Sequence, residues 1–417
     1  MKIIYATGAR IPSTQANSVN VVNFSDALAA GGHEVELMCG SPFRSSAELE
    51  PQYGPKSPFR LHSGILGLKL KRPRKKTSAP SSGTGGAPAA TVKSASATPS
   101  SSAAPKAKKE ASGLSLRTLK RIAFGWNAAW RSKRQKVDLL YSRSEYACLF
   151  ASLLGVKTAW EAHAVMEMDP FSHTRVMPVL ARRGVPIFPI TEALAEDLKQ
   201  AYGFTDAGMT VLPDGANPPL TAERSTEVPS DGFNVGYVGH LYPGKGMEVI
   251  SAVAPLCPWA TFHIVGGSDD LRAEWREKCR EMPNVIFHGY ANQTKVSEYL
   301  NAFDAALLPI LRKISVPGGF DIGRWTSPLK LFEYMAHRKA IVASDVPVLK
   351  EVLNDRKNSI LCDPDNPQSW ADALSELRSN EEFRRELAAT AHAEFEERYT
   401  WRSRSQIMLS ALFPDKT

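Results

Sequence analysis

The segment Ser327–Ala336 combines a predicted helix start with charged side chains that suit a phosphorylated ligand. It reads Ser-Pro-Leu-Lys-Leu-Phe-Glu-Tyr-Met-Ala, which predicts Ser327 as the N-cap residue and Pro328 at the first helical position. The unbonded N–H groups of such a helix end attract anions. Glu333, between two aromatic residues, needs hydrogen-bond donors, and a ribose diol offers two. The segment therefore predicts a helix that binds a nucleotide at its phosphate and at its ribose.

Glycine-rich segments follow two of the predicted strands in the second half of the chain. In Tyr237–Gly246, glycines on both sides of Lys245 allow close approach of the backbone, and a lysine at a strand-to-helix turn suits a diphosphate. A surface turn with a solvated lysine is the alternative that the sequence leaves open. Gly266 ends the next strand and gives a weaker indication of the same kind.

One histidine in the first half of the chain occupies a comparable position. Glu161-Ala162-His163 ends a predicted strand. A histidine there is either a structural residue or part of a site, and the sequence alone does not decide between these interpretations.

Short β-rich runs alternate with helical patterns along most of the chain. This alternation is typical of the α/β class, with parallel sheets that are covered on both faces. We predict two Rossmann-like domains, at residues 1–219 and 220–399, that face each other across a cleft. The sequence leaves open whether the last helix, in residues 400–417, crosses back onto the first domain. Ligands of such sheets bind beyond the carboxyl ends of the strands, which here means the cleft.

The positive charge of the chain is concentrated in one segment. The chain carries 51 Lys and Arg residues and 43 Asp and Glu residues. Between Lys56 and Lys136 lie 19 of the basic residues and only one of the acidic residues. That segment therefore has a net charge of +18, and the remainder of the chain has −10. A basic groove built into the fold would be typical of a nucleic-acid-binding protein, so we expect no nucleic-acid partner.

The basic segment contains a predicted insert in the first domain, at about residues 69–113. It begins with the cationic run Lys69–Lys76 and continues through Thr77–Pro105, which is rich in Ser, Ala, Pro and Gly and has no aromatic residue. Such a composition predicts disorder. The insert is also a candidate for attachment to an anionic membrane surface.

A predicted helix follows the insert and has two interpretations. Leu119, Ile122, Trp126 and Trp130 recur at helical spacing among several basic residues. The helix either lies on anionic lipid or packs on the N-terminal sheet with its basic side in solvent.

Composition favours an intracellular location. The 417-residue chain is long enough for two domains with full cores. Its five cysteines are scattered without a CxxC pattern, which fits a reducing compartment. No run of 18 apolar residues occurs. We expect a cytoplasmic protein that is peripheral on the inner face of the cell membrane if the insert binds lipid.

Taken together and in order, these motifs resemble the GT-B glycosyltransferases, in particular retaining family 4. Glu161–His163 is similar to its E-x-H, Val211–Gly215 to V-L-P-[DN]-G and Gly239–Gly246 to G-R-L-x-x-x-K-G. Val285–Gly289 is similar to V-x-F-x-G, and Ser327–Ala336 is nearly identical to the signature of one subgroup. The resemblance covers nearly the whole chain except the insert.

The resemblance implies transfer of a sugar from a nucleotide diphosphate sugar to an acceptor with retention of anomeric configuration, in polysaccharide or glycolipid biosynthesis. It implies no cofactor and no metal, and a lipid-linked or saccharide acceptor. The implied catalytic residues are His163, Lys245 and Glu333. The implied nucleotide-sugar-binding residues are Gly8, Ser18, Gly239, His240, Gly266, Gly289, Ser327, Pro328, Leu329, Lys330 and Glu333, with Arg324 as a further candidate cation.

Three positions depart from the family pattern, one of which is the first loop, where the usual Gly-Gly is replaced around Asn17-Ser18. His240 stands where family members usually carry Arg, and Trp325 stands where the first Glu of an E-x7-E motif is expected. A non-catalytic nucleotide-sugar-binding scaffold is therefore an alternative, and a sugar epimerase with the same architecture is another.

Overall fold

The computed structural model describes residues 1–13, 15–63, 115–166, 169–316, 320–321 and 323–416. Within these ranges the chain forms two six-stranded sheets in which every pairing is parallel. This arrangement confirms the predicted α/β class with two Rossmann-like domains. The predicted insert at 69–113 lies outside the described residues.

The N-terminal sheet has the strand order β3-β2-β1-β4-β5-β6. Its strands are β1 (Lys2–Arg10), β2 (Glu34–Gly40), β3 (Arg60–Ser63), β4 (Leu139–Ser142), β5 (Thr158–Ala162) and β6 (Ile187–Pro189). The helices around it are α1 (Ala16–Ala30), α2 (Glu50–Tyr53), α3 (Leu116–Gln135), α4 (Glu145–Leu153), α5 (Met177–Arg182) and α6 (Glu192–Tyr202). All residues of β4 and β5 are buried, as expected of central strands that are covered on both faces.

The C-terminal sheet has the order β14-β13-β10-β7-β8-β9. Its strands are β7 (Phe233–Val238), β8 (Ala260–Val265), β9 (Val285–Gly289), β10 (Ala305–Leu308), β13 (Ala340–Ser344) and β14 (Ile360–Cys362), and β11 (Ser315–Val316) pairs with β12 (Phe320–Asp321) as a separate antiparallel ribbon. The helices are α7 (Met247–Val253), α8 (Asp269–Lys278), α9 (Gln293–Ala302), α10 (Leu329–Ala336), α11 (Pro367–Ser379), α12 (Glu381–Glu394) and α13 (Trp401–Leu412).

Each sheet reverses its strand order at one point, and both points open onto the same crevice. The reversal lies between β1 and β4 in the first sheet and between β7 and β10 in the second. Parallel sheets bind ligands at such points. Gly8 and Arg143, at the ends of β1 and β4, and Gly239, after β7, all line one cavity.

The chain passes between the domains twice, and the two passages lie side by side. The Ala216 N–H donates to the Tyr399 carbonyl at 3.0 Å, and the Trp401 N–H donates to the Ala216 carbonyl at 3.3 Å. Beyond this crossing, α13 packs against α1, and the side chains of Trp401, Met408 and Leu412 join the core of the N-terminal domain.

A buried arginine on α13 fixes this helix to the N-terminal domain. Arg404 is 1% exposed, and its Nη2 donates to Glu161 Oε1 at 3.0 Å. Its Nε donates to the Pro213 carbonyl at 2.8 Å, and its guanidinium lies 4.6 Å from the centre of the Phe24 ring. The Glu161 carboxylate also pairs with Arg143 at 2.8 Å, so loss of Arg404 leaves it with one of its two cations and leaves the Pro213 carbonyl without this donor.

We expect Arg404→Met to lower the free energy of unfolding by about 3–5 kcal/mol, because a buried carboxylate and a buried carbonyl each lose a donor. Arg402→Met, at an exposed position of the same helix, should change it by less than about 0.5 kcal/mol. Urea unfolding of the two variants measures the difference. Equal stability of both variants would contradict a structural role for Arg404.

Candidate functional site

The cleft between the domains contains a cavity of about 1380 Å³. Both domains contribute to its walls, through residues after the carboxyl ends of their strands and through the first turn of α10. The predicted site residues that line it are Gly8, His163, Gly239, His240, Lys245, Ser327, Pro328, Leu329, Lys330 and Glu333.

The C-terminal wall of the cavity brings basic side chains together without an equal number of anions. Lys330 Nζ lies 4.1 Å from the centre of the Tyr237 ring and has no hydrogen-bond partner among the described residues. Burial and the nearby Lys245 hold the pKa of Lys330 well below its usual value. Burial also lowers the pKa of Lys245, and burial with both lysines lowers the pKa of His240. An anion bound here would relieve the mutual repulsion of these groups.

Glycine is required where the backbone after β7 approaches these lysines. A Cβ atom on Gly239 would lie 3.1 Å from Lys330 Nζ and 3.3 Å from the Tyr237 hydroxyl. Gly266 has a φ of +112°, and a Cβ atom there would lie 2.4 Å from the Gly239 carbonyl oxygen. Gly266 therefore packs behind Gly239 and, contrary to the prediction, does not line the cavity.

The helix start predicted at Ser327 is displaced by one position. Helix α10 begins at Leu329, Pro328 occupies the N-cap position, and no side chain caps the helix. The Ser327 hydroxyl instead accepts the N–H of Asp214 at 3.1 Å. This bond links the signature segment to the interdomain crossing, so the N-cap role predicted for Ser327 is wrong. The first residues of α10, Leu329 and Lys330, still line the cavity, and the N–H groups of a helix start lack partners within the helix.

Glu333 lies one turn further along α10 and lines the same cavity. Burial raises its pKa to about 7, although the neighbouring Lys330 opposes the shift. A carboxyl group with such a pKa changes charge near neutrality. It is thus a strong acceptor for hydroxyl donors only when it is ionised.

The N-terminal wall is organised around the carboxylate of Glu161, which is 1% exposed. Its Oε1 accepts from Arg143 Nη2 at 2.8 Å, from Arg404 Nη2 at 3.0 Å and from His163 Nε2 at 2.9 Å, and its Oε2 accepts from the Tyr5 hydroxyl at 2.8 Å. Burial would raise the pKa of Glu161, but the two guanidinium groups and His163 hold it well below its usual range. Burial and Arg143 in turn lower the pKa of His163. His163 is therefore neutral at pH 7, and Glu161 fixes the orientation of its ring.

Glu161, His163 and Asp214 present ligand atoms within 4.8 Å of one another and form a possible metal-ligand set among the described residues. Two guanidinium groups, however, already lie within 3.0 Å of the Glu161 carboxylate. Asp214 accepts a hydrogen bond from the Asn20 side chain. These contacts disfavour a divalent cation at this position, because its charge would be added next to two fixed positive charges.

Two further predicted residues do not line the cavity. Ser18 belongs to α1, is 2% exposed, and its hydroxyl donates to the Arg10 carbonyl at 3.0 Å. Gly289 ends β9, and its carbonyl accepts the Gly266 N–H at 2.6 Å. Both stabilise the backbone that supports the wall.

Arg324 is also engaged elsewhere. It forms a two-point ion pair with Asp197 on α6, at 2.7 and 2.9 Å, and Trp325 Nε1 donates to the same carboxylate at 2.6 Å. The residue that replaces the expected glutamate, Trp325, thus joins the two domains at the edge of the cavity.

Two site residues, Arg143 and Arg404, were not identified from the sequence. Arg143 follows a strand end, which was a usable signal, whereas nothing in the local sequence marks Arg404.

Comparison with known proteins gives a family match over part of the chain and a fold for the whole chain. The family described as Glycosyl transferases group 1 matches residues 232–380, which form most of the C-terminal domain. A D-inositol 3-phosphate glycosyltransferase of Xylanimonas cellulosilytica is 24% identical over 239 residues, covering 52% of this chain and 54% of the relative. A putative teichuronic acid biosynthesis glycosyltransferase, TuaH of Bacillus subtilis, is 27% identical over 125 residues, or 30% of each chain. This chain therefore matches about half or less of the length of these relatives.

Solved structures resemble the whole chain. Anabaena Alr3699/HepE in complex with UDP and glucose has a TM-score of 0.63 and 16% identity and covers 99% of both chains. Sucrose-phosphate synthase from Thermosynechococcus elongatus has a TM-score of 0.64 and 16% identity, over 98% of this chain and 97% of that one. The protein thus has the GT-B fold of two facing Rossmann-like domains, as predicted.

The site geometry predicts how Glu333 responds to its neighbour. We expect Lys330→Met to raise the pKa of Glu333 above its present value of about 7, because the substitution removes the cation that opposes the effect of burial. Carboxyl-carbon NMR, with Glu333→Gln to assign the resonance, measures the shift. An unchanged or lower pKa would show that Lys330 does not act on Glu333.

Proposed function

We propose that the protein is a retaining glycosyltransferase that transfers a sugar from a nucleotide diphosphate sugar to an acceptor without a bound metal. The observation that carries the proposal is the surplus of basic groups on the C-terminal wall, where Lys245, Lys330 and the start of α10 face one cavity. The opposite wall presents His163. The Glycosyl transferases group 1 match over residues 232–380 falls on the same C-terminal wall.

The chemistry requires charge neutralisation at the leaving group. As the bond between the sugar and the diphosphate breaks, negative charge develops on the departing phosphate oxygen. Lys245, Lys330 and the first N–H groups of α10 would stabilise that charge, which is the role that a metal ion has in other enzymes. Glu333 would accept hydrogen bonds from the ribose hydroxyls and so place the diphosphate against these groups.

Retention is supported by the state of the carboxylates in the cavity wall. Four carboxyl groups occur among the described lining residues. Glu161 is bound by two arginines, Glu145 pairs with Arg121 at 2.6 Å, and Asp214 accepts from Asn20. The fourth, Glu333, lies on the C-terminal wall, where we assign it to the ribose hydroxyls. The lowered pKa of His163 makes its imidazole a weak base. We therefore infer that the departing phosphate oxygen, and not a protein base, takes the proton from the acceptor hydroxyl. His163 would contact the donor sugar.

The relatives suggest the wider setting. Their names include D-inositol 3-phosphate glycosyltransferases and a teichuronic acid biosynthesis enzyme, and several structural neighbours are complexes with UDP, sugars or saccharides. We propose a role in polysaccharide or glycolipid biosynthesis of the cell envelope, at the cytoplasmic face of the membrane, with no cofactor.

A panel of nucleotide sugars tests the function. Release of nucleoside diphosphate should require one donor and an acceptor from a membrane extract, and it should persist in excess EDTA. NMR of the product should show the anomeric configuration of the donor. A scaffold would bind nucleotide and release none, and an epimerase would convert the donor without any acceptor. Loss of turnover in EDTA, or inversion of configuration, would contradict the proposed mechanism.

Lys245→Ala should lower turnover on the order of 10²–10³-fold, because one group that stabilises the leaving phosphate is lost. The melting temperature should barely change, since burial already disfavours the lysine charge. Lys313→Ala, at an exposed lysine of the same domain, is the matched control and should retain full turnover. Equal rates for the two variants would remove Lys245 from the mechanism.

Glu333→Gln should weaken binding of the free nucleoside diphosphate about tenfold or more, because two charge-assisted hydrogen bonds become neutral ones. A 2′,3′-dideoxy nucleotide, which lacks both donors, should bind wild type and variant almost equally. Protonation of Glu333 removes the same negative charge as the substitution does. The affinity of the wild type should therefore fall as pH decreases through about 7, the pKa of Glu333 in the free protein. The affinity of the variant should not show this fall. Calorimetric titration between pH 6 and 8 measures both effects. If Glu333→Gln loses as much affinity for the dideoxyribose form as for the ribose form, the ribose contact is excluded.

A further inference from the structure

The outward face of α3 exposes large apolar side chains. Leu116 is 69%, Leu119 47%, Trp126 48% and Trp130 53% exposed. At 100° per residue these four positions fall within a sector of roughly 80° on the helix. The indole rings of the two tryptophans stack with their centres 6.2 Å apart and their planes at 14°. One side of this 20-residue helix therefore exposes four large apolar side chains to solvent.

This surface is cationic and has no acidic residue. Helix α3 contains six Lys and Arg residues and no Asp or Glu. Arg121 and Arg131 turn inward and pair with buried carboxylates. Lys120, Lys133 and Arg134 are exposed beside the apolar residues and form no ion pair with any other described residue. These basic side chains thus lie on the same side of α3 as the exposed tryptophans.

The inward face alone holds the helix in place. Gly125, Ala128, Ala129 and Ser132 are buried, and a Cβ atom on Gly125 would lie 2.6 Å from Tyr146 Cβ. The small side chains let α3 pack closely on α4. Trp126 also makes an edge contact with Phe150. Packing on the domain leaves about half of each tryptophan side chain in solvent.

The same helix borders the cavity. Leu116, Arg117 and Lys120 line its wall on the N-terminal side. A surface that covers the outward face of α3 would therefore lie next to the cavity entrance. No described helix is long and apolar enough to span a bilayer, so contact with a membrane through described residues would be peripheral.

We propose that α3 lies on an anionic lipid bilayer, with Trp126 and Trp130 at the level of the headgroups and Lys120, Lys133 and Arg134 on lipid phosphates. Tryptophan favours the membrane interface. A basic helix with an apolar face binds anionic lipid through burial of apolar area and through attraction between opposite charges. Docking in this orientation presents a lipid-borne acceptor to the cavity. That second step rests on the proposed function, whereas the docking itself does not.

Sedimentation of the full chain with vesicles tests the docking. We expect binding to vesicles of phosphatidylcholine with 30% phosphatidylglycerol, little binding to phosphatidylcholine alone, and weakening at high salt. Lys133→Ala/Arg134→Ala should lower the partition coefficient about 25-fold, at roughly fivefold for each charge. Lys313→Ala/Arg402→Ala removes two exposed cations elsewhere and should have little effect.

Trp126→Ser/Trp130→Ser should also lower binding at least about tenfold, with circular dichroism and melting temperature to verify the fold. If this variant does not fold, the cation pair decides the test. The proposal would be overturned if the protein bound no vesicles or bound neutral and anionic vesicles equally. It would also be overturned if the α3 variants bound anionic vesicles as well as the wild type does. Binding that disappears only when Lys69–Lys76 is replaced by alanines would assign the lipid contact to that run instead.

A concentration-dependent dimer that the tryptophan substitutions abolish would show that a second copy covers this face, and would also overturn the proposal. Vesicle binding needs no turnover. A protein that binds anionic lipid yet transfers no sugar would contradict the proposed function and leave the docking intact.

Discussion

The buried carboxylate of Glu161 is the point at which sequence-distant parts of the N-terminal domain meet. It joins strand β5 to Arg143 after β4, to Tyr5 on β1 and to Arg404 on the last helix. The carboxylates of Glu161 and Asp214 lie close together, and both act on the guanidinium groups of Arg143 and Arg404. Burial of these charges is tolerable because opposite charges are paired, although Arg143 Nε and Arg404 Nη1 have no hydrogen-bond partner among the described residues. His163 takes its orientation from the Glu161 carboxylate.

The opposite wall differs, because its basic groups lack carboxylate partners among the described residues. There the positive charge comes from Lys245, Lys330 and the helix start at Leu329, and burial lowers the pKa of both lysines. The C-terminal wall is thus electrostatically incomplete by itself. We propose that the phosphates of a ligand in the cleft compensate this charge.

The sequence was sufficient to locate those parts of the fold and of the candidate site that depend on a local pattern of residues. The parallel sheets, the glycine-rich turn around Lys245 and the helix with Glu333 could be located from spacing and residue type. The resemblance to one family added their placement on facing walls. These features are short-range, because a strand end and the helix after it are adjacent in the chain.

The remainder depends on contacts that no local pattern encodes. Arg404 reaches Glu161 across 243 positions, and Ser327 bonds to Asp214 across 113. Ser327 has the residue type of an N-cap, yet tertiary structure gives its hydroxyl another partner. Ser18 and Gly289 belong to segments next to the cavity, but strand and helix geometry turns them away from it. The exposure of Trp126 and Trp130 also follows from packing, since the same spacing would fit a buried helix.

The most direct measurement is a crystal structure of the protein soaked with a sugar nucleotide in the presence of EDTA. We expect the β-phosphorus within about 4–5 Å of Lys245 Nζ and of the first N–H groups of α10, as hydrogen-bond geometry requires. The ribose should lie on Glu333, and the sugar should point toward His163. Phosphorus atoms held away from Lys245 and α10, or no bound nucleotide without a divalent ion, would contradict a cleft that neutralises the leaving diphosphate with protein groups alone.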